Sequence, residues 1–326
     1  MILKNLPLDA KTNSEQMLFE DAQAFENLLN YFLEANVFDF TGYKRSSLMR
    51  RVRRQMSVVA IASYSDYIDY LKQHPEETKN LLKSIPVNYT AFFRDPYVWN
   101  YIASQIIPRL ISHKSPNQGI KVWSAGCASG EEVYTLAMLF LEALGVEQFS
   151  QRVRIYGTDI HQKSIDHARQ GIYSVNHIKG VPTVLLARYF EQFNQNYIFN
   201  KYLRTPIIFT RHNVLQDPPF SKVDLLVCRN TFIYFNAEGQ NRALANFHFG
   251  LKDSGFLVLG NVERLIPSIK SNLFTLVDPK CSIYNPRSRN NKNAVHPCLF
   301  RDRDERQLTS LTNQLSFLNT YSRLEL

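Results

Sequence analysis

The run VWSAGCASGEEVY at 122–134 contains the residues best suited to bind a ligand. Gly126 and Gly130 lack a Cβ, so the backbone can turn sharply there and approach a cofactor closely. The adjacent acids Glu131 and Glu132 would repel a phosphate at the start of a helix, but they would favour a cation or hydroxyl groups. The pattern predicts a nucleoside-like ligand that carries positive charge, and a plain strand-to-helix turn is the alternative.

The same run predicts where the following helix begins. Ser129 and Glu132 have the spacing of a capping box, in which each side chain hydrogen-bonds a backbone N–H group of the first turn. If Glu132 is used in the cap, Glu131 is the acid left to contact the ligand. The run matches only two glycines of the dinucleotide fingerprint, and no GK[ST] phosphate-loop motif follows it.

Polar side chains also follow the later predicted strands. Functional groups of an open parallel sheet gather at the carboxyl ends of its strands, so we expect these side chains to lie near the 122–134 turn. Asp159 could bind ribose hydroxyls, and a helix N-cap is its alternative role. The others are Asn213 with Val214, Arg229 with Asn230, and the aromatic Tyr234.

The segment NYTAFFRDP at 88–96 places three aromatic residues among Asn, Thr and Arg side chains. Such a mixture predicts a lid that closes over the site. A loop that joins two domains is the alternative.

Composition limits the class of protein. The 326 residues carry a formal net charge of +9 and a pI of about 9.3, which predicts an acidic partner without specifying its kind. The four cysteines are far apart and have no histidine at metal-ligand spacing, so we expect a reducing compartment and no metal. No apolar run approaches the length of a membrane span, so we expect a cytoplasmic protein without membrane insertion.

The hydrophobic period divides the chain into three predicted parts. In residues 1–86 the apolar residues recur every three or four positions, which predicts a helical domain. Residues 87–286 alternate predicted strands with predicted helices, which is typical of a parallel sheet. A small β-subdomain is predicted to be inserted at about 172–205. Residues 287–326 form a polar linker with a candidate helix at 307–318. The predicted strands of the sheet are Ile120 to Ala125, Val153 to Gly157, Ile207 to Arg211, Asp224 to Cys228 and Phe256 to Gly260, followed by an edge hairpin at 274–277 and 282–284.

A predicted helix at 43–56 contains six cations and no acid. Its apolar stripe leaves the cations on the remaining faces, where a solvated surface is the ordinary interpretation. The absence of compensating acids favours a docking surface for an acidic partner. The candidate docking residues are Arg50, Arg51, Arg53 and Arg54.

Five segments follow one another along the chain: NYTAFFRDP, VWSAGCASGEEVYTLAM, YGTDI followed by ARQGIY, FTRHNVLQDPPF and DLLVCRNTFIYF. Together they are similar to the CheR family of chemotaxis-type protein methyltransferases. The resemblance runs from about Asp39 to Tyr284, and the basic helix, the inserted sheet and the segment LVLGNVERL at 257–265 fit the same family. The segment at 257–265 is closer to variants found in multidomain signalling proteins.

The resemblance implies an α/β fold: a Rossmann-like methyltransferase domain with a small antiparallel β-subdomain, preceded by an all-α domain. It implies that S-adenosylmethionine is the cofactor and S-adenosylhomocysteine the product. It also implies transfer of a methyl group to glutamate γ-carboxylates of chemoreceptors. The acidic methylation helices of these receptors would be the partners of the basic helix, and other signalling domains remain candidate partners.

Residue-by-residue matching to the family implies the site. Arg94 and Tyr234 would orient the acceptor, with Tyr234 beside the transferred methyl group. Ala128–Ser129, Val133 and Thr231 depart from the family pattern, but no matched site residue is lost. The implied cofactor contacts are Asn88, Thr90, Arg94, Gly126, Glu131, Asp159, Asn213, Val214, Arg229 and Asn230.

Two other functions are compatible with the sequence. A non-catalytic module could bind S-adenosylmethionine or S-adenosylhomocysteine as a sensor, although intact Arg94 and Tyr234 argue against it. A nucleic-acid methyltransferase would explain the high pI. The chain lacks a Pro-Pro-Tyr type acceptor motif, however, and no cysteine is convincingly placed for ring methylation.

Overall fold

The computed structural model of this chain describes residues 8–85, 90–263, 265 and 273–288, with side chains from residue 20 onward. The described residues up to Arg287 belong to one compact unit. The predicted helix at 307–318 lies outside the described residues. No helix in the described part of the chain is long and apolar enough to cross a membrane.

The described residues up to 85 form four helices. The second buries Leu48, Val52 and Met56, which lie four residues apart and therefore on one face. The third begins after Ser63, whose hydroxyl accepts a hydrogen bond from the Asp66 backbone N–H at 3.4 Å, and the fourth has Pro75 at its first position. The four helices are α1 (Leu8–Glu34), α2 (Arg45–Val58), α3 (Tyr64–Gln73) and α4 (Pro75–Ser84).

A seven-stranded sheet forms the centre of the unit, in the order β6-β2-β1-β7-β8-β10-β9. The first five strands in this order pair in parallel, and β10 pairs antiparallel with both β8 and β9. These strands are β1 (Ile120–Ala125), β2 (Val153–Asp159), β6 (Ile207–Arg211), β7 (Val223–Cys228), β8 (Leu251–Leu259), β9 (Phe274–Asp278) and β10 (Ile283–Pro286).

The remaining helices surround this sheet and a smaller one. The small sheet has the antiparallel order β3-β5-β4 and is inserted between β2 and β6, as predicted. Its strands are β3 (Ile172–Ser174), β4 (Phe190–Phe193) and β5 (Asn196–Phe199), and the helices are α5 (Pro96–Tyr101), α6 (Ile107–Ser112), α7 (Glu131–Arg152), α8 (Gln162–Gln170), α9 (Thr183–Tyr189) and α10 (Ala237–Gly250).

The predicted fold class is confirmed, and the differences lie at strand ends. The strands β1 and β6 have the predicted bounds, whereas β2 continues to Asp159. The strand β8 begins at Leu251, five residues before the predicted start, because Val223 pairs with Leu251 across a register shift. The predicted edge hairpin is present as β9 and β10.

The helices α1 to α4 share a hydrophobic core with one face of the large sheet. Side chains such as Phe32 and Tyr67 from these helices belong to the same buried cluster as Trp123 of β1 and Phe247 of α10. A backbone hydrogen bond of 2.9 Å from the Lys44 N–H to the Tyr234 carbonyl joins the start of α2 to the loop after β7. This packing places α2 beside the carboxyl ends of the parallel strands.

Candidate functional site

A pocket lies between α2 and the carboxyl ends of the parallel strands. We call its two sides the strand-end wall and the helical wall. The strand-end wall includes Gly126, Glu132, Asp159, Asn213, Arg229 and Asn230. The helical wall consists of Tyr43, Ser47, Leu48 and Arg51.

The glycine turn after β1 brings bare backbone to the strand-end wall. Gly126 has a φ of +79°, and the backbone N–H groups of Gly126 and Cys127 both donate to the Thr158 carbonyl, at 2.7 and 2.8 Å. A Cβ built at Gly126 would lie 2.3 Å from the Thr231 Oγ1, which leaves no room for a side chain. The turn therefore requires glycine at this position, as its sequence predicts.

Asp159 links the end of β2 to the glycine turn. Its Oδ2 accepts from the Ala128 N–H and its Oδ1 from the His161 N–H, both at 2.9 Å. His161 is the N-cap of α8, so Asp159 is not the N-cap that the alternative interpretation required. Burial raises the pKa of Asp159, although these two backbone N–H groups oppose the shift.

The predicted capping box is wrong. The N-cap of α7 is Gly130 at a φ of +95°, and no side chain among the described residues caps the helix. The Ser129 hydroxyl donates to Glu131 Oε2 at 2.7 Å, and the Ser124 hydroxyl donates to Glu132 Oε1 at 2.8 Å. Glu132 is thereby held on the pocket wall instead of at the helix cap, and the cofactor contact of Glu131 stays a prediction.

Arg229 holds together three segments around the pocket. Its Nη2 donates to Asp95 Oδ2 at 2.5 Å and to the Arg94 carbonyl at 2.9 Å, and its Nη1 lies 3.5 Å from Glu132 Oε2. The guanidinium also lies over the Trp99 ring, 5.2 Å from its centroid. Only 2% of the Arg229 side chain is exposed, so these contacts are made away from bulk water.

The segment before α5 contributes Thr90 and Arg94 to the pocket. Phe93 and Asp95 in this segment have left-handed backbones, with φ values of 51° and 59°, which are costly for residues other than glycine. The Arg229 contacts and the burial of the neighbouring aromatic side chain, Phe92, compensate for this strain. Asn88 lies outside the described residues, and the function of the segment as a lid stays a prediction.

The predicted residues after β6 and β7 also reach the pocket. Asn213 and Val214 are buried at its edge, and the Asn213 Oδ1 accepts from the Leu215 N–H at 3.0 Å. Asn230 and Tyr234 line the pocket as well, and Asn230 has a left-handed φ of 59°. The structure therefore brings these four residues together, while their individual roles stay predictions.

Arg51 differs from the other arginines of α2 because it lines the pocket. Its Nη1 donates to the Ser84 carbonyl at 3.0 Å, and its buried Nε has no hydrogen-bond partner among the described residues. Burial lowers the pKa of Arg51, and the nearby Tyr234 hydroxyl opposes that shift. Arg51 and Tyr234 are therefore close enough to interact electrostatically.

The three remaining candidate docking residues of α2 are exposed. Arg53 donates to the Tyr64 hydroxyl at 3.0 Å and forms an ion pair with Asp21 of α1. Arg50 and Arg54 lie on the same surface. The basic surface therefore combines one arginine in an intramolecular ion pair with two other exposed cations.

Sequence reasoning missed the other residues of the helical wall and the buried His212. Ser47 and Leu48 lie in the first turn of α2 and Tyr43 lies just before that helix, and no local motif indicates that this segment faces a distant strand end. His212 lies beside Asn213, and burial lowers its pKa, which favours the neutral ring. In the sequence, His212 directly follows the predicted strand Ile207 to Arg211, and this position is the feature that could have placed it at the pocket.

The mostly parallel sheet, with a pocket at the carboxyl ends of its strands, has a Rossmann-like architecture. Residues 88–279 match the model of the CheR methyltransferase SAM-binding domain, and residues 23–85 match its all-alpha domain. This chain belongs to the CheR methyltransferase family. The predicted family and the predicted cofactor, S-adenosylmethionine, are thereby confirmed.

Curated relatives include chemotaxis methyltransferases. The chain is 34% identical to a putative methyltransferase, Cher3, of Pseudomonas putida, over 74% of this chain and 89% of that protein. It is 31% identical to a chemotaxis protein methyltransferase of Borreliella burgdorferi, over 68% of this chain and 81% of that protein.

Another relative is much longer. An uncharacterised 104.1 kDa protein of Rhodobacter capsulatus is 34% identical over 76% of this chain, which spans only 26% of that protein. Among solved structures, a TehB-like SAM-dependent methyltransferase of Corynebacterium glutamicum matches with a TM-score of 0.32 and 16% identity, over 60% of this chain and 100% of that one. A TM-score this low carries no argument about function.

Proposed function

We propose that this protein transfers a methyl group from S-adenosylmethionine to glutamate γ-carboxylates of chemoreceptors, in chemotaxis or a related signalling system. One observation carries the proposal: a single pocket has buried carboxylates on its strand-end wall and the cationic Arg51 on its helical wall. A cationic cofactor suits the first wall, and an anionic acceptor suits the second. Membership of the CheR family supports the same assignment.

The strand-end wall fits the cofactor. When bound, S-adenosylmethionine supplies a methyl group on a positively charged sulfur. The carboxylates of Glu132 and Asp159 favour that charge, and the bare backbone at Gly126 permits close approach. A carboxylate has about four lone-pair sites, so Asp159 can accept from ribose hydroxyls in addition to the backbone N–H groups of Ala128 and His161.

The helical wall fits a carboxylate acceptor. Arg51 lines the pocket and forms no ion pair with an acid among the described residues, so a glutamate side chain would be its anionic partner. Tyr234 is close to Arg51 and lines the same pocket, so both can orient one carboxylate. The exposed cations Arg50 and Arg54 on α2 would attract the acidic helix that carries the glutamate.

The reaction needs positioning more than it needs acid–base chemistry. A glutamate has an ordinary pKa of about 4.3, so its side chain is already an anionic nucleophile at neutral pH. Well-oriented groups contribute about 7–11 kcal/mol to such a transfer. Arg94 and Tyr234 supply the orientation in this proposal.

Burial raises the pKa of the Cys127 and Cys228 thiols, which disfavours thiolate chemistry in this part of the fold.

The proposed partners are the acidic methylation helices of chemoreceptors, and the proposed location is the cytoplasm. Among the described residues, Cys127, Cys228 and Cys281 are buried and unpaired. Unpaired thiols are typical of a reducing compartment.

The proposal is tested by incubating the full chain with S-adenosylmethionine labelled in the methyl group and with membranes that contain chemoreceptors. We expect label in the receptors that mild base releases, because carboxyl methyl esters hydrolyse readily. Arg94→Ala should lose most of the transfer, and Arg242→Ala, at an ion pair on α10, should retain it. Base-stable label, label in RNA, or cofactor binding without transfer would each contradict the proposal.

A further inference from the structure

We propose that Glu263 is a positioning residue for methyl transfer, because its carboxylate holds the loop that carries Asn230 and Tyr234. This inference rests on the proposed function and adds a residue to it. Glu263 belongs to the segment LVLGNVERL at 257–265, directly after β8. Only 6% of the residue is exposed.

The Glu263 carboxylate accepts hydrogen bonds from the loops after two neighbouring strands. Its Oε2 accepts from the Asn230 N–H and the Gly260 N–H, each at 2.7 Å. Its Oε1 accepts from the Ile233 N–H at 3.3 Å. One side chain from the loop after β8 therefore fixes two backbone positions in the loop after β7, which borders the pocket.

The loop after β7 needs such support. Asn230 has a left-handed φ of 59°, a conformation that is unfavourable for most residues other than glycine and that asparagine adopts when its surroundings support it. The hydrogen bond to Ile233 acts one residue before Tyr234, inside the short 3₁₀ turn Phe232–Tyr234. Glu263 therefore controls both the strained residue on the strand-end wall and the turn that presents the Tyr234 side chain.

The Glu263 carboxylate occupies space that is free because residue 260 is a glycine. A Cβ built at Gly260 would lie 2.4 Å from Glu263 Oε2 and 3.0 Å from the Asn230 nitrogen. Any larger residue at position 260 would therefore push the carboxylate away from the loop. Glu263 is not among the residues that line the pocket, so it acts through Asn230 and Tyr234 and not by touching the substrates.

The variant Glu263→Gln tests this role because it keeps the shape of the side chain. The amide has one acceptor oxygen, and its NH₂ group would face a backbone N–H that needs an acceptor. We expect kcat to fall about tenfold or more, while the KM for the receptor fragment changes less. Hydrogen exchange of the amides in 229–235 should become faster. Glu263→Asp, which keeps the charge, should recover part of kcat.

Asp278→Asn is the matched control. The Asp278 Oδ1 accepts from the Cys281 N–H at 2.6 Å in the turn between β9 and β10, so this carboxylate also supports a loop but lies outside the pocket. We expect its loss to reduce the melting temperature without changing kcat. If Glu263→Gln likewise reduced only the melting temperature and left kcat within about twofold, Glu263 would be structural and the inference overturned.

Two further outcomes separate this inference from the proposed function. If Glu263→Gln does not fold, Glu263→Asp is judged by the same kcat and hydrogen-exchange measurements. If the wild-type chain transfers no methyl group, the proposed function fails. Hydrogen exchange then decides separately whether Glu263 holds the loop beside the pocket: faster exchange confined to 229–235 shows that it does, and unchanged exchange there overturns the inference.

Discussion

The two walls of the pocket are built in different ways. On the strand-end wall, Asp159 receives two backbone hydrogen bonds, and Arg229 is held by Asp95, Glu132 and a carbonyl group. On the helical wall, Arg51 donates to the Ser84 carbonyl and forms no ion pair with an acid among the described residues. The buried cation of the strand-end wall is therefore paired with carboxylates of this chain, whereas the cation of the helical wall is not.

In the proposed function, this difference matches the two walls to different substrates. Side chains fixed by backbone groups lose little entropy on binding, which suits a cofactor that every catalytic cycle uses in the same geometry. A cation without a carboxylate partner among the described residues suits an anionic side chain from a separate protein. Variants of the two walls should therefore have separable effects on the cofactor and on the acceptor.

The largest effect is expected from Arg229→Ala. Its removal leaves Glu132 buried beside the site without its cation and releases Asp95, so we expect a loss of about 3–5 kcal/mol in the free energy of unfolding. Urea denaturation measures the stability, and S-adenosylhomocysteine titration should show little binding. Arg242→Ala removes a more exposed pair with Glu238 and should cost about 0.5 kcal/mol. Equal losses in the two variants would contradict the role of Arg229.

Asp159→Asn should weaken the cofactor about 100-fold, close to 2.7 kcal/mol, because the amide bears no charge and one of its ends cannot accept hydrogen bonds. Calorimetric titration with S-adenosylhomocysteine measures the change. The control is Asp166→Asn, which removes an exposed ion pair with Arg169 on α8. An unchanged affinity in Asp159→Asn would remove this residue from the cofactor site.

Arg51→Ala should act on the acceptor instead. We expect kcat/KM for a receptor fragment to fall about tenfold, or ~1.4 kcal/mol, with no change in cofactor affinity. Arg53→Ala, on the same helix but paired with Asp21 outside the pocket, should reduce kcat/KM less than about threefold at physiological salt. Equal losses in both variants would mean that the whole charge of α2 matters and that the pocket position of Arg51 does not.

A smaller effect is expected from pH. Burial raises the pKa of both Glu132 and Asp159, so these carboxyls lose their charge at a higher pH than exposed acids do. S-adenosylmethionine carries a sulfonium charge that S-adenosylhomocysteine lacks. The affinity for S-adenosylmethionine divided by the affinity for S-adenosylhomocysteine should therefore fall a few-fold as the pH decreases from neutrality towards the raised carboxyl pKa values. A ratio that is constant between pH 5 and 8 would show that these acids do not face the charge.

The sequence predicted the features that depend on local pattern. The strands β1 and β6 were predicted at their full length because Gly, Pro and polar residues bound short apolar runs, and Gly126 was identified because only glycine suits its turn. The capping box failed because Gly130 adopts a left-handed backbone and begins the helix without a side-chain cap. Local spacing cannot show which competing hydrogen bond a serine or glutamate will make.

Long-range contacts were beyond the sequence pattern. Tyr43 packs edge-on against Phe235, with ring centroids 5.4 Å apart, and this contact places the start of α2 over the strand ends. No periodicity in either segment predicts that pairing. The Glu263 contacts likewise join loops after two different strands, although an acid soon after the apolar run of β8 was a visible signal.

The most direct test compares two versions of one acidic receptor helix that differ only in the acceptor residue, glutamate or glutamine. The full chain is incubated with each version and with S-adenosylmethionine, and mass spectrometry locates the added methyl group. The account predicts a base-labile methyl group on the glutamate side chain of the first version and none at that position in the second. Equal methylation of both versions at another residue, or methylation of neither while the cofactor binds, would contradict it.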